Sequence, residues 1–299
     1  MEDTLYDFTV VGGDMRQVYL AEELAHHQNH VCHYALCSAP KECHCSDASV
    51  VNAADSLEEA LNSAPCVICP VPFCKAGGSA VNITTIHENI SPDVLVDLLT
   101  PGQYFFAGCI PEDLQAKAKE RGVRVYDLME DLPLAYYNSI ATAEGAICEA
   151  ILRSPRNLHK SHCAVLGCGK CGSTLLQYLK GMFCQVYAAS DSVEERTRAS
   201  IIADRTGNLR EFRQHAGTFD FIFNTVPAPV LPSHILRQMK DTVTIIDIAS
   251  SPGGIDFQAA QEFGINAVLC PGLPGKYAPA SSAEAIRKVI ESAAAFGRQ

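Results

Sequence analysis

The chain has 299 residues, 47% of them hydrophobic and 19% charged, with a formal net charge of -11. That is long enough for two domains and too apolar for a disordered polymer, and its charge repels phosphate backbones, which argues against nucleic acid as a partner. No apolar run approaches the roughly 20 residues that cross a bilayer, and the acidic start "MEDTLYDFTVV" has no basic-then-apolar export pattern, so no membrane role and a cytoplasmic protein are expected.

Strand and helix signals alternate along the chain. "DFTVVGG" (7–13) reads as a strand ending in glycines, and "MRQVYLAEELAHH" (15–27) has helical spacing. Further strands are expected at 30–36, 64–73, 103–109 and 122–128, with helices near 55–62, 91–99 and 111–121. Continuous apolar strands separated by helices predict a mostly parallel sheet covered on both faces. "SIATAEGAICEAILRS" (139–154) predicts a longer helix that connects two domains. Asn138 or Ser139 is placed to cap its start, Ile140, Ile147 and Ile151 share one face, and Pro155 stops it. Alternation then resumes, with strands near 162–167, 184–190, 219–225, 243–249 and 266–270 and helices near 172–182, 193–205, 232–239 and 256–263. A last helix, 281–296, is expected to cross back to the first domain. The fold class is therefore α/β, two doubly wound parallel-sheet domains. Residues 1–138 form a substrate-side domain joined by 279–299, and residues 139–278 form a Rossmann dinucleotide-binding domain.

The stretch "VLGCGKCGST" (165–174) carries two motifs. Gly167, Gly169 and Gly172 spell G-x-G-x-x-G between a short apolar strand and a helix. In that context the first glycine makes the turn, the second admits a pyrophosphate, and the third lets helix and strand pack closely. Asp191 lies 19 residues beyond Gly172, where a carboxylate can take the adenosine ribose hydroxyls. Cys168 and Cys171 spell C-x-x-C, but no second pair follows at zinc spacing and no thioredoxin-like unit surrounds them. The chain has fourteen cysteines, read as mostly free thiols; Cys66, Cys69 and Cys270 sit inside apolar runs, where a thiol packs as a small hydrophobe. The other metal candidate is the segment 26–47, with His26, His27, His30, Cys32, His33, Cys37, Cys43, His44 and Cys45. Its spacing matches no standard ligand set, and no metal is expected.

"VVGGDMRQ" (10–17), "YNSIATAEGAI" (137–147), "VLGCGKCG" (165–172), "NTVPAPVL" (224–231), "IDIASSPGGIDF" (246–257) and "LCPGLPGKYAP" (269–279) occur together in an order that resembles the A subunits of dipicolinate synthase. The resemblance implies an NAD(P)-dependent oxidation of a dihydro- or hydroxytetrahydro-dipicolinate, from the lysine pathway, to pyridine-2,6-dicarboxylate during sporulation. It also implies a separate, flavoprotein-like B subunit, and a homo-oligomer is expected. On these terms the small dicarboxylate substrate is expected at Gly13, Asp14 and Arg16, where a guanidinium and free N–H groups can clamp a carboxylate. Asn138, Ser139, Thr142 and Lys276 are further candidates, in a cleft between the domains. Glu144 is the candidate base, with helix-dipole stabilisation as its structural role. Cofactor contacts are expected at Gly167, Gly169, Lys170, Cys171 and Gly172, and at Ser190, Asp191 and Arg196. The turns after later strands add Asn224, Thr225, Val226, Pro227, Ala249, Pro271 and Gly272, because ligands of open α/β sheets sit at the carboxyl ends of strands.

The chain departs from that family at several positions. NADP-using members commonly carry Arg where this chain has Asp191, which favours NAD; Arg196 and Arg198 lie close enough to compensate. Ser251, Ala280 and Ala141 stand where the family has arginine, lysine and proline, and Lys276 is expected to replace one lost cation. Other readings are a dehydrogenase of a different small carboxylate, a 2-hydroxy or 2-amino acid, and a nucleotide-binding regulatory subunit. The first of these lacks an evident His–carboxylate pair near a strand end.

Overall fold

A computed structural model describes residues 5–41, 51–75, 77–83 and 89–296. The chain divides into two compact units, Met1–Tyr137 with Ala278–Gln299, and Asn138–Tyr277.

The first unit holds strands β1 (Phe8–Val11), β2 (Val31–Tyr34), β3 (Val51–Ala53), β4 (Cys66–Ile68), β5 (Tyr104–Ala107) and β6 (Arg124–Asp127). They form one parallel sheet in the order β3-β2-β1-β4-β5-β6. β1, β4 and β5 are buried at every residue, as strands covered on both faces must be. Helices α1 (Met15–His26), α2 (Leu57–Asn62), α3 (Pro92–Leu98) and α4 (Glu112–Glu120) connect them. Winding reverses between β1 and β4, so their carboxyl ends form a switch point. There the chain turns through Gly12 and Gly13, both at positive φ, into α1. Asp14 caps α1 in a capping box with Gln17.

The second unit has β7 (His162–Leu166), β8 (Gln185–Ala189), β9 (Arg205–Gly207), β10 (Phe221–Asn224), β11 (Thr244–Asp247) and β12 (Asn266–Leu269), parallel in the order β12-β11-β10-β7-β8-β9. α5 (Leu132–Arg153) leads into it. α6 (Lys170–Gly181), α7 (Val193–Ala199), α8 (Leu209–Gln214), α9 (Ser233–Leu236), α10 (Phe257–Glu262) and α11 (Leu273–Tyr277) follow within it. The final helix, α12 (Pro279–Phe296), packs on α1 in the first unit. There Ile286 and Ile290 join the core of Val18 and Leu24, and Arg287 reaches Glu23 at 3.6 Å.

Two parallel, doubly wound sheets are what the alternating pattern predicts. Four details differ. β3 and β9 carry no strand signal in the sequence: each is a three-residue edge strand with exposed positions, too short and too polar for a pattern. The helix expected over 193–205 ends at Ala199, because the chain must turn to supply β9. α5 begins at Leu132, not at 139, so Asn138 and Ser139 are interior to it and cap nothing. The cap is Asp131, whose Oδ1 accepts from Leu134 N at 2.7 Å, with Pro133 in the first turn, where a missing N–H costs nothing. Finally, Ile140 and Ile151 are exposed; the buried stripe of α5 is Ala143, Ala146, Ile147 and Ala150.

No helix among the described residues is long and apolar enough to cross a membrane. The described cysteines are free thiols.

Candidate functional site

β7 runs into Gly167 at the switch point of the second sheet, between β7 and β10. Gly167 has φ +85°, and a Cβ there would stand 2.3 Å from Thr225 Oγ1. A Cβ on Gly172 would stand 2.0 Å from Gly167 O, so α6 touches the turn backbone to backbone. Gly169 is different. It is the N-cap of α6, with no side-chain cap, and the nearest atom to a Cβ there is Glu195 Oε1 at 3.7 Å. The middle glycine thus borders open space over first-turn N–H groups that a helix leaves unpaired. That space and those donors suit a diphosphate. Lys170 is exposed beside it.

The two cysteines of the loop are not bonded to each other. Cys168 is buried, its Sγ 3.9 Å from Ala189 O, and burial pushes its thiol up to about 12. Burial also raises the Cys171 thiol. Neither is a ready thiolate.

Around the end of β8, Asp191 Oδ1 accepts from Leu209 N at 3.1 Å and so ties this turn to the start of α8. Arg196 Nη1 donates to Ser190 O at 2.6 Å. Glu195, which no spacing rule singles out, accepts from Ser190 Oγ at 2.6 Å and from Cys168 N at 3.1 Å, both through Oε2.

Asp247, inside the "IDIASSPGGIDF" segment but not among the expected site residues, organises the later turns from the end of β11, where it is fully buried. Its Oδ1 accepts from Asn224 Nδ2 at 2.9 Å and from Ala249 N at 3.0 Å, and its Oδ2 accepts from Gly254 N at 2.7 Å. Burial raises its carboxyl despite these donors. Asn224 also brackets Val226, donating to its O at 3.0 Å and accepting from its N at 3.0 Å, while Thr225 Oγ1 donates to Leu166 O at 3.0 Å. One carboxylate therefore holds the 224–227 turn and the "SSPGG" turn together. Ala249 lies on that frame, and Pro271 and Gly272 are exposed on the turn after β12. Asp247→Asn would aim an amide N–H at a backbone donor. It is expected to cost about 2 kcal/mol, read as a lower urea midpoint at unchanged slope.

The substrate candidates fall into two groups. In the first unit Gly13, Asp14 and Arg16 meet at the start of α1. The buried Arg16 guanidinium is gripped by Asp14, Nε to Oδ1 at 2.9 Å and Nη2 to Oδ2 at 2.7 Å, and Nη2 also donates to Val71 O. Asp14 thus engages the Nε–Nη2 edge of the guanidinium and fixes its orientation. Gln17 joins them without a motif to announce it: its Oε1 accepts from Asp14 N at 3.1 Å, and its buried Nε2 has no partner.

In the second unit Ser139 shares a 2.7 Å hydrogen bond with Thr174 on α6, and Thr142 Oγ1 donates to Asn138 O at 2.9 Å. Ser139 thus ties α5 to α6, and Thr142 bonds back to its own helix. Glu144 is exposed and accepts from Tyr178 Oη at 3.0 Å. Lys276 pairs with the buried Glu149, which also accepts from Tyr277 Oη at 2.7 Å and from Arg153 Nε at 2.9 Å.

No group of three potential metal ligands gathers among the described residues. Cys43, His44 and Cys45 lie outside them.

Residues 7–129 match the family model of the dipicolinate synthase A-subunit N-terminal domain. The dipicolinate synthase A subunit of Bacillus subtilis (strain 168) is 28% identical over 284 residues, covering 94% of this chain and 93% of that protein. The crystal structure of the Bacillus subtilis A chain matches with a TM-score of 0.79 at 27% identity, over 97% of this chain and 96% of that one. The corresponding A subunit from Bacillus halodurans gives 0.79 at 24% identity, over 96% and 97%. A transhydrogenase from Sinorhizobium meliloti shares the fold, with a TM-score of 0.66 at 12% identity over 96% of this chain and 94% of that one. Residues 7–129 are therefore similar to the dipicolinate synthase A-subunit N-terminal domain, and the chain as a whole is similar to dipicolinate synthase A subunits.

Proposed function

We propose that the chain is the nicotinamide-dependent A subunit of a dipicolinate synthase, oxidising a dihydro- or hydroxytetrahydro-dipicolinate to pyridine-2,6-dicarboxylate in partnership with a B subunit. The observation that carries the cofactor part is the turn at Gly167, Gly169 and Gly172, where close backbone packing and an uncapped helix start leave room for a diphosphate. The substrate part rests on likeness to the relatives over nearly the whole chain.

A bound nicotinamide would supply the hydride acceptor. From dihydrodipicolinate, one hydride and one proton leave and the ring becomes aromatic; the hydroxytetrahydro form first loses water. The chain's own part is to bind, orient and take the proton. The start of α6, with Lys170 beside it, holds the diphosphate. At the start of α1, Arg16 is fixed by Asp14, and the Gln17 amide has an unspent donor; together they suit one carboxylate of the substrate. Glu144, exposed and positioned by Tyr178, is suited to accept the ring proton. Ser139 and Thr142 shape α5, and Lys276 anchors α11, so these three act on the substrate only through the scaffold.

The test is reconstitution. The chain, supplied with the lysine-pathway precursor and NAD or NADP, with and without a B subunit, is expected to produce the ultraviolet absorbance of a pyridine dicarboxylate. Cofactor binding with no product in either arm would favour another small carboxylate as substrate. Absence of binding to either cofactor would leave the regulatory reading.

A further inference from the structure

The geometry points to Glu195, on α7, as the residue that reads the adenosine ribose and makes the site select NAD over NADP; the assignment rests on the nicotinamide reading above. The spacing rule puts the ribose carboxylate at Asp191. In the folded chain Asp191 is turned to the backbone of α8, where its Oδ1 accepts from Leu209 N. Glu195 instead stands over the glycine loop. Its Oε2 accepts from Cys168 N, inside the G-x-G turn, and from Ser190 Oγ, at the end of β8. Those two bonds fix the carboxylate between the two backbone segments that flank a ribose in this fold. Both use Oε2, and Oε1 is left facing Gly169 at 3.7 Å from where a Cβ would stand.

An anionic acceptor at that place suits a vicinal diol, whose hydroxyls donate. It repels a 2′-phosphate. Arg196 is tied to the same turn, its Nη1 donating to Ser190 O. Ser190 takes part as well: its hydroxyl orients Glu195, and it carries no charge with which to attract a phosphate.

NADH and NADPH titrations of the full chain, followed by nicotinamide fluorescence, test the assignment. NADH is expected to bind about tenfold tighter or more, the scale of one charge-assisted hydrogen bond. Glu195→Gln keeps an acceptor for Cys168 N but loses the charge. It is expected to weaken NADH about tenfold and NADPH little, so that the preference collapses. Asp191→Asn is expected to leave the ratio in place. Competition on the unaltered chain gives a readout that needs no variant: adenosine 5′-monophosphate should displace NADH, and adenosine 2′,5′-bisphosphate should do so about tenfold less well. A preference for NADPH in the unaltered chain, or a ratio that collapses in Asp191→Asn and survives in Glu195→Gln, would overturn the role of Glu195 while leaving the nicotinamide reading standing. If neither cofactor binds, that reading fails and takes the assignment with it.

Discussion

Gly172→Ala is expected to abolish dinucleotide binding and to destabilise the chain by about 2–3 kcal/mol. The added Cβ would lie 2.0 Å from Gly167 O and 2.9 Å from Gly167 C. Both are backbone atoms, so no rotamer relieves the clash. Gly167 cannot retreat either: its N donates to Ala189 O at 2.8 Å, and its own Cβ position is filled by Thr225. Relief requires α6 to move off the end of β7, which pulls the first-turn N–H groups away from the phosphate position. Gly181→Ala is the control. It lies in the same helix with no atom within 4 Å of its Cβ position, and is expected to be neutral or to gain up to about 1 kcal/mol from the stiffer unfolded chain. Urea unfolding and NADH titration of both variants check this. Unchanged NADH affinity in Gly172→Ala would remove the turn from the cofactor site.

Sequence pattern reveals what depends on continuous runs. β1, β4, β7, β10 and β11 are apolar runs, all but the first residue of β7 buried on both faces, so their burial is written into composition. The glycine turn is equally local, because its constraints act over a few residues. The start of α5 is also legible in principle: Asp131 before Leu132 and Pro133 is a cap-and-proline signal, hidden because the apolar pattern strengthens only later. The buried face of α5 is only partly where its isoleucines suggest, because Ile147 packs inward among Ala143, Ala146 and Ala150 while Ile140 and Ile151 are exposed. Side-chain roles set by tertiary partners are not legible. Asp191 stands at the expected spacing, but that spacing does not tell that its Oδ1 accepts from Leu209 N, nor that Glu195 on α7 reaches back to Cys168 N in the loop. The resemblance makes Lys276 a substitute cation for substrate, yet folding supplies it with a buried carboxylate from a residue more than a hundred positions away.

That carboxylate carries the second large effect. Glu149→Gln is expected to lower stability near neutral pH by about 2–3 kcal/mol and to flatten the acid limb of the stability curve. Hydrogen bonds from Lys276, Tyr277 and Arg153 hold the Glu149 carboxyl at about 2, against an ordinary value of 4.5. A carboxyl depressed on folding stabilises the native chain above its unfolded value. The stabilisation is therefore complete above about pH 4.5 and fades as pH falls toward about 2. Glu149 is the buried member, with a side chain 4% exposed against 58% for Lys276, so the two ends of the pair are not equivalent. Removing the carboxylate strips the bonds that seat α11 against α5. Lys276→Ala removes one exposed donor and leaves Tyr277 and Arg153 in place, for an expected cost of about 1 kcal/mol or less. Urea midpoints of the unaltered chain and Glu149→Gln should differ widely near pH 7, less near pH 3, and converge only toward about pH 2. An equal gap at both pH values would show that shape, not charge, carries the contact. Because α11 follows the Pro271–Gly272 turn directly, loosening it should also weaken cofactor binding at neutral pH, and that loss should be restored by Glu149→Asp only if the shorter carboxylate still reaches Tyr277.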